Sequence, residues 1–229
     1  MLNALLIAGT DSGVGKTVLT TALAAYWQTY CTSHSLGIMK PVQTGGGDRD
    51  LYHRLFALDQ SPEEITPLAF DASLPPPLAA EREGRKVKLE KVWQAFEALC
   101  HRRDWVLVEA LSGLGSPITR ETTVADLAWD WRIPTVLVVP IRRGAIAQAV
   151  ANVALAHQAK AHLKGIVLNC VEPCTDQDMA DWAPVDLLQS LTQKPVLGCI
   201  PHLSDPTDLA KLAQVASHLD LERLVSLPF

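Results

Sequence analysis

The chain has 229 residues, 48% of them hydrophobic and 20% charged, with a formal net charge of −5. That apolar content can offset the entropy of ordering a chain, which excludes bulk disorder. The acidic balance excludes a protein that coats nucleic acid, since no surplus of Lys and Arg exists to displace phosphate counterions.

From the N-terminus, short runs rich in Val, Ile and Leu at 4–8, 37–42, 105–109, 135–140, 165–168 and 196–200 read as strands. They are apolar on consecutive positions rather than alternating, the pattern of strands covered on both faces. Helical stretches are expected between and after them at 15–29, 50–58, 89–101, 124–131, 145–161, 185–192 and 206–218. Strand–helix alternation implies right-handed crossovers. The expected fold is therefore α/β: a doubly wound, mostly parallel sheet flanked by helices, in one domain over residues 1–229. The stretch 61–77, with five prolines, is the least regular and reads as a linker or a long loop over a site. In such a sheet ligands bind beyond the carboxyl ends of the strands, so a chemical motif should fall at a strand end.

The first strand end meets this expectation. Gly9-Thr10-Asp11-Ser12-Gly13-Val14-Gly15-Lys16-Thr17 follows a buried strand and opens a helix, the context of a phosphate-binding loop. Gly13 and Gly15 let backbone N–H groups turn toward an anion, and the helix N-terminus adds partial positive charge. Lys16 suits the β- and γ-phosphates and Thr17 a Mg²⁺ ion. Gly9 stands one residue earlier than the strict spacing. No Asn-Lys-x-Asp run that would read guanine is present, so ATP is expected. A second strand ends in Glu109, placed to hold Mg²⁺ with Thr17. A third carries Lys40 near its end, where an ammonium faces an anion.

Of the remaining chemical residues, the five cysteines (31, 100, 170, 174 and 199) lack zinc-ligand spacing and read as reduced packing residues. The seven histidines likewise show no metal spacing. No apolar run reaches the ~18–20 residues of a membrane helix, and the apolar N-terminus has no basic flank or cleavage site. A cytoplasmic protein that binds neither membrane nor nucleic acid is expected.

Taken together, the phosphate loop, Lys40-Pro41-Val42-Gln43-Thr44-Gly45, the strand ending in Glu109, Thr123-Val124-Ala125-Asp126, Asn169 and Gly198-Cys199-Ile200-Pro201 resemble the dethiobiotin synthetases of biotin biosynthesis, in that family's order over nearly the whole chain. The resemblance implies a P-loop NTPase-like fold and an ATP-dependent cyclo-ligase. Such an enzyme carboxylates 7,8-diaminononanoate with CO₂ and closes the ureido ring, through a carbamate and a carbamic-phosphoric anhydride. It implies Lys40 and Lys16 as catalytic residues, and Thr44 with the helix start at Gly144 and Ala145 as the substrate site, the latter at a homodimer interface. For ATP it implies Gly13, Val14, Gly15, Lys16, Thr17 and Val18, then Ala110, Leu111 and Ser112 after Glu109. Adenine is expected against Asn169 and the turn Pro201-His202-Leu203. The metal set is Thr17, Glu109 and an aspartate after Thr44; counting back from Thr66-Pro67-Leu68-Ala69-Phe70 favours Asp48, with Asp50 as the rival.

The chain also departs from the family. Glu109-Ala110-Leu111-Ser112-Gly113 stands where the family has Glu-Gly-x-Gly-Gly, so side chains at 110 and 112 are expected to crowd the site. Pro75-Pro76-Pro77 replaces Ser-Pro-His, and Gly144-Ala145-Ile146-Ala147 replaces Gly-x-Ile-Asn, with Arg142 and Arg143 as compensating cations. The phosphate machinery is expected to be retained and substrate recognition altered. Two alternatives are a P-loop switch of the partitioning or division-site type and a nucleotide-binding relative without ligase activity. The loop has Asp11 where those switches carry a second lysine.

Overall fold

Strands form where the Val/Ile/Leu runs lie, and they assemble around the first of them. A computed structural model describes residues 3–46 and 48–225; for Asp48 and Arg49 it describes the backbone only. In chain order the elements are β1 (Ala4–Gly9), α1 (Lys16–Tyr30), β2 (Leu36–Met39), β3 (Val42–Thr44), α2 (Asp48–Leu55), α3 (Pro62–Ile65), β4 (Leu68–Phe70), α4 (Pro76–Arg82), α5 (Leu89–Arg102) and β5 (Trp105–Gly113). They continue as α6 (Val124–Asp130), β6 (Thr135–Pro140), α7 (Ala145–Gln158), β7 (Leu163–Asn169), α8 (Asp176–Trp182), α9 (Val185–Thr192), β8 (Val196–Ile200), α10 (Leu209–Ala216) and α11 (Leu221–Leu224).

Six strands form one sheet in the order β2-β5-β1-β6-β7-β8, with every pairing parallel. Alternate residues of β1 face opposite ways, as the pleat requires. Leu5 and Ile7 join Leu19, Leu23 and Leu212 from α1 and α10 on one face. Ala4, Leu6 and Ala8 join Phe96, Leu127 and Ala149 from α5, α6 and α7 on the other. Phe96 stacks on Trp131 with ring centroids 5.1 Å apart, fastening α5 to the end of α6. Trp131 is buried, whereas Trp129, two residues earlier, is 49% exposed. Two helical residues at that spacing cannot share a face.

Several sequence expectations need correction. The stretch 37–42 is not one strand. Lys40 sends its N–H to Ile65 O (2.7 Å) rather than along the main sheet, and Pro41 has no N–H to give. The chain bends there, and Val42–Thr44 pairs instead with Leu68–Phe70 in a separate two-stranded parallel sheet. Nor is 61–77 irregular throughout. Ser61 caps α3 in a reciprocal capping box with Glu64 and Pro62 sits in the first turn, after which β4 follows. Pro75 and Pro76 open α4. Helix α7 stops at Gln158, earlier than expected, because Lys160 enters the left-handed region at φ 59°. Among the described residues no helix is long and apolar enough to cross a membrane, and all five cysteines are free thiols.

Candidate active site

β1 is central and is followed at once by the phosphate loop, so the loop sits at the carboxyl end of the sheet between the ends of β5 and β6. Two glycines in the loop carry positive φ, 68° at Gly13 and 98° at Gly15, a backbone that L side chains resist. Gly15 has a second constraint. A Cβ there would lie 1.9 Å from Asn169 Nδ2, and that amide donates to Val14 O at 2.9 Å. Asn169, 3% exposed at the end of β7, thus braces the loop from beneath. A Cβ on Gly113, at the end of β5, would meet Thr10 O at 2.7 Å, so that strand end also presses on the loop.

A cleft of about 570 Å³ opens beside the loop. Lys16 and Lys40 both line it, with Thr17, Thr44, Glu109 and Ser112. Lys16 Nζ donates to Asp11 O (2.8 Å), folding back over its own loop. Glu109, 1% exposed, receives Lys40 Nζ at 3.0 Å and Thr17 Oγ1 at 3.1 Å on Oε1, and the Tyr52 hydroxyl on Oε2. The expectation that this strand ends in Glu109 needs correction: β5 runs on to Gly113, so the acid sits within the strand. It meets Lys40, just beyond β2, and the first-turn Thr17, 92 residues away in sequence, at one oxygen. Among the described residues no cluster of three or more His, Cys, Asp or Glu side chains is arranged to hold a metal. Mg²⁺ does not need one: it takes one or two carboxylates and completes its octahedron with phosphate and water. Thr17 and Glu109 offer hard oxygens of that kind.

The other expected residues divide. Ala110 is buried and faces an apolar cavity with Leu6, Ile118 and Leu127, away from the loop. It does not crowd the phosphate side, because residues 109 and 110 point to opposite faces of β5. Ser112 does face the cleft, and its Oγ lies 2.8 Å from Ser12 Oγ. Leu111 lines the cleft and that apolar cavity. Val14 is buried and Val18 half-buried at the start of α1. Pro201 and His202 are exposed and Leu203 half-buried beyond β8, with His202 Nδ1 3.2 Å from Val171 O. Gly144 and Ala145 are not in the cleft. Gly144 (φ 88°) caps α7 and lines a separate shallow groove with Ala147, Trp182 and Leu191. Arg142 and Arg143 are exposed. The side chain of Asp48 lies outside the described residues; Asp50 is exposed on α2.

Several cleft residues were not expected. Ser12, Gln43, Ser73, Leu74, Pro75 and Pro76 all line it. The prolines reach it because they start α4, which lies against β3 and β4. The contact of Tyr52 with Glu109 spans 57 residues and has no local sequence signature.

Comparison with known proteins adds three findings. A family model described as an AAA domain matches residues 3–209. A curated protein of Gloeothece citriformis (strain PCC 7424), called "ATP-dependent dethiobiotin synthetase BioD", is 58% identical over 98% of this chain and 99% of its own; one of the same name from Crocosphaera subtropica (strain ATCC 51142 / BH68) is 52% identical over 97% and 100%. Among solved structures, a ParA family ATPase from Chlorobium tepidum TLS superposes with TM-score 0.57, covering 98% of each chain at 12% identity, a likeness of fold alone.

Proposed function

We propose the function from one premise: the chain belongs to the ATP-dependent dethiobiotin synthetase family. It is an ATP-dependent ligase of biotin biosynthesis that carboxylates 7,8-diaminononanoate with CO₂ and closes the ureido ring to dethiobiotin. One amine of the diamine attacks CO₂ and loses a proton, giving a carbamate. A carbamate oxygen attacks the γ-phosphorus as the bond to the β-phosphate oxygen breaks, releasing ADP. The second amine then attacks the carbamoyl carbon, expels inorganic phosphate and loses its proton.

The chemistry brings a carbamate and a polyphosphate together, so its main demand is charge stabilisation and alignment. The observation that carries the reading is Lys40, buried against Glu109 in the same cleft that Lys16 lines. In this reading Lys16 grips the β- and γ-phosphates, and Lys40 faces the carbamate and the transferring phosphoryl group. Thr44, at the end of β3, hydrogen-bonds the diamine. Gly13, Gly15 and Ser12 present the loop to the phosphates. Asn169 and the 201–203 turn receive the adenine; one amide hydrogen of Asn169 is already committed to Val14 O, which fixes the ring-facing edge. Thr17 and Glu109 would hold Mg²⁺, which supplies charge neutralisation at the β- and γ-phosphate oxygens, and Asp48 would complete the set.

The chain acts as one P-loop α/β domain in the cytoplasm, as a homodimer. The exposed Leu187 and Leu191 and the groove at Gly144 and Trp182 support a self-association face at the start of α7, where its N–H groups can take the substrate carboxylate. The test is ADP release by the purified protein with ATP, Mg²⁺ and bicarbonate, with and without diaminononanoate. Diamine-dependent release is expected; a nucleotide switch would hydrolyse ATP at the same rate in both.

A further inference from the structure

Tyr52 is fully buried, and its hydroxyl donates to Glu109 Oε2. A phenylalanine would fill the same space but leave Glu109 Oε2 without this donor. A glutamate's terminal torsion is broad and leaves the carboxylate plane undetermined unless something outside fixes it. Here the fixing contact comes from α2, the helix that begins at Asp48. The opposite oxygen, Oε1, takes both Lys40 (3.0 Å) and Thr17 (3.1 Å). The carboxylate that would hold Mg²⁺ with Thr17 is thus already shared with the Lys40 ammonium.

We infer that Tyr52 is a positioning residue that clamps Glu109 through Oε2, so that the carboxylate is held in one orientation toward Lys40, Thr17 and the divalent cation it would hold. This rests on the metal role proposed for Glu109.

The test is Mn²⁺ binding to the protein–ADP complex, followed by electron paramagnetic resonance, in the wild type and in Tyr52→Phe. Loss of a charge-assisted hydrogen bond to a buried carboxylate should weaken Mn²⁺ binding about ten-fold or more. ADP affinity in EDTA should stay within two-fold. A purely structural role would weaken metal-free ADP binding as much as Mn²⁺ binding, and that result, or unchanged Mn²⁺ affinity, overturns the inference. In a Glu109→Gln background, Tyr52→Phe should cause no further loss of Mn²⁺ binding; an added loss also contradicts it. The readout needs no diamine, so failure of the ligase reading and failure of this inference are separately visible.

Discussion

Replacing Lys40 by Gln removes one positive charge from the cleft while nearly preserving side-chain length. Lys40 is 3% exposed and its ammonium lies 3.0 Å from Glu109 Oε1. Two unit charges about 4 Å apart interact by about 4 kcal/mol at an effective dielectric near 20. That is about 10³-fold in rate if the interaction forms only as charge develops between carbamate and phosphoryl. A glutamine dipole recovers part of it, so turnover should fall about 10²–10³-fold. ATP affinity should stay within several-fold, because Lys16 and the loop N–H groups remain. Breaking a buried pair commonly costs about 3–5 kcal/mol of stability. Here Thr17 and Tyr52 still donate to the two Glu109 oxygens, which places the loss at the lower end. The assay is single-turnover formation of ADP from preformed complex, beside equilibrium ATP binding and a thermal midpoint. Turnover within ten-fold of wild type would refute the reasoning, as would a loss of ATP affinity equal to the loss of rate.

Gly15→Ala should lower the thermal midpoint and abolish tight nucleotide binding. A left-handed alanine costs about 1–2 kcal/mol, and pushing Asn169 off Val14 O costs about 1 kcal/mol more; an unchanged midpoint by calorimetry would contradict the contact. Ser112→Gly removes the hydroxyl paired with Ser12 of the phosphate loop and should weaken ATP binding several-fold in equilibrium titration while KM for the diamine holds within two-fold; the reverse split would place Ser112 on the diamine. Asp126 has its carboxyl held below the ordinary aspartate value, first by the Thr123 hydroxyl and then by the Thr123 N–H. A depressed folded value means stability that is full above the unfolded value of 3.8 and is lost as pH falls through the lower folded one. The midpoint of Asp126→Asn should therefore lie below wild type at pH 7 and converge with it in acid; a gap that persists below both values would refute the assignment.

The main sheet was legible because parallel strands buried on both faces are apolar at consecutive positions, and 135–140 and 196–200 match β6 and β8. The phosphate loop was legible because its backbone demands glycines in sequence. What escaped depends on who pairs with whom. The stretch 37–42 reads as one run only if Lys40 and Pro41 are passed over; Lys40 finds Ile65 and Val42 finds Leu68. Three prolines in a row suggest a coil, although Pro favours a helix's first turn. Helix α8 carried a readable signal, Thr175 capping onto Asp178, that apolar periodicity hides because none of its residues is buried. Thr17, Lys40 and Glu109 were each legible as candidates, although Glu109 lies within β5 rather than at its end; their meeting at one oxygen, the Tyr52 contact and the Asn169 brace are tertiary facts with no local pattern.

The central claim is that a carbamate oxygen takes the γ-phosphoryl group and leaves with it when the ring closes. Supplying freshly generated ¹⁸O-labelled CO₂ with ATP, Mg²⁺ and diaminononanoate, then measuring the mass of the released phosphate, tests it directly. The account predicts one ¹⁸O atom in each phosphate and one phosphate for each dethiobiotin formed. Unlabelled phosphate, with its fourth oxygen drawn from water, would contradict it.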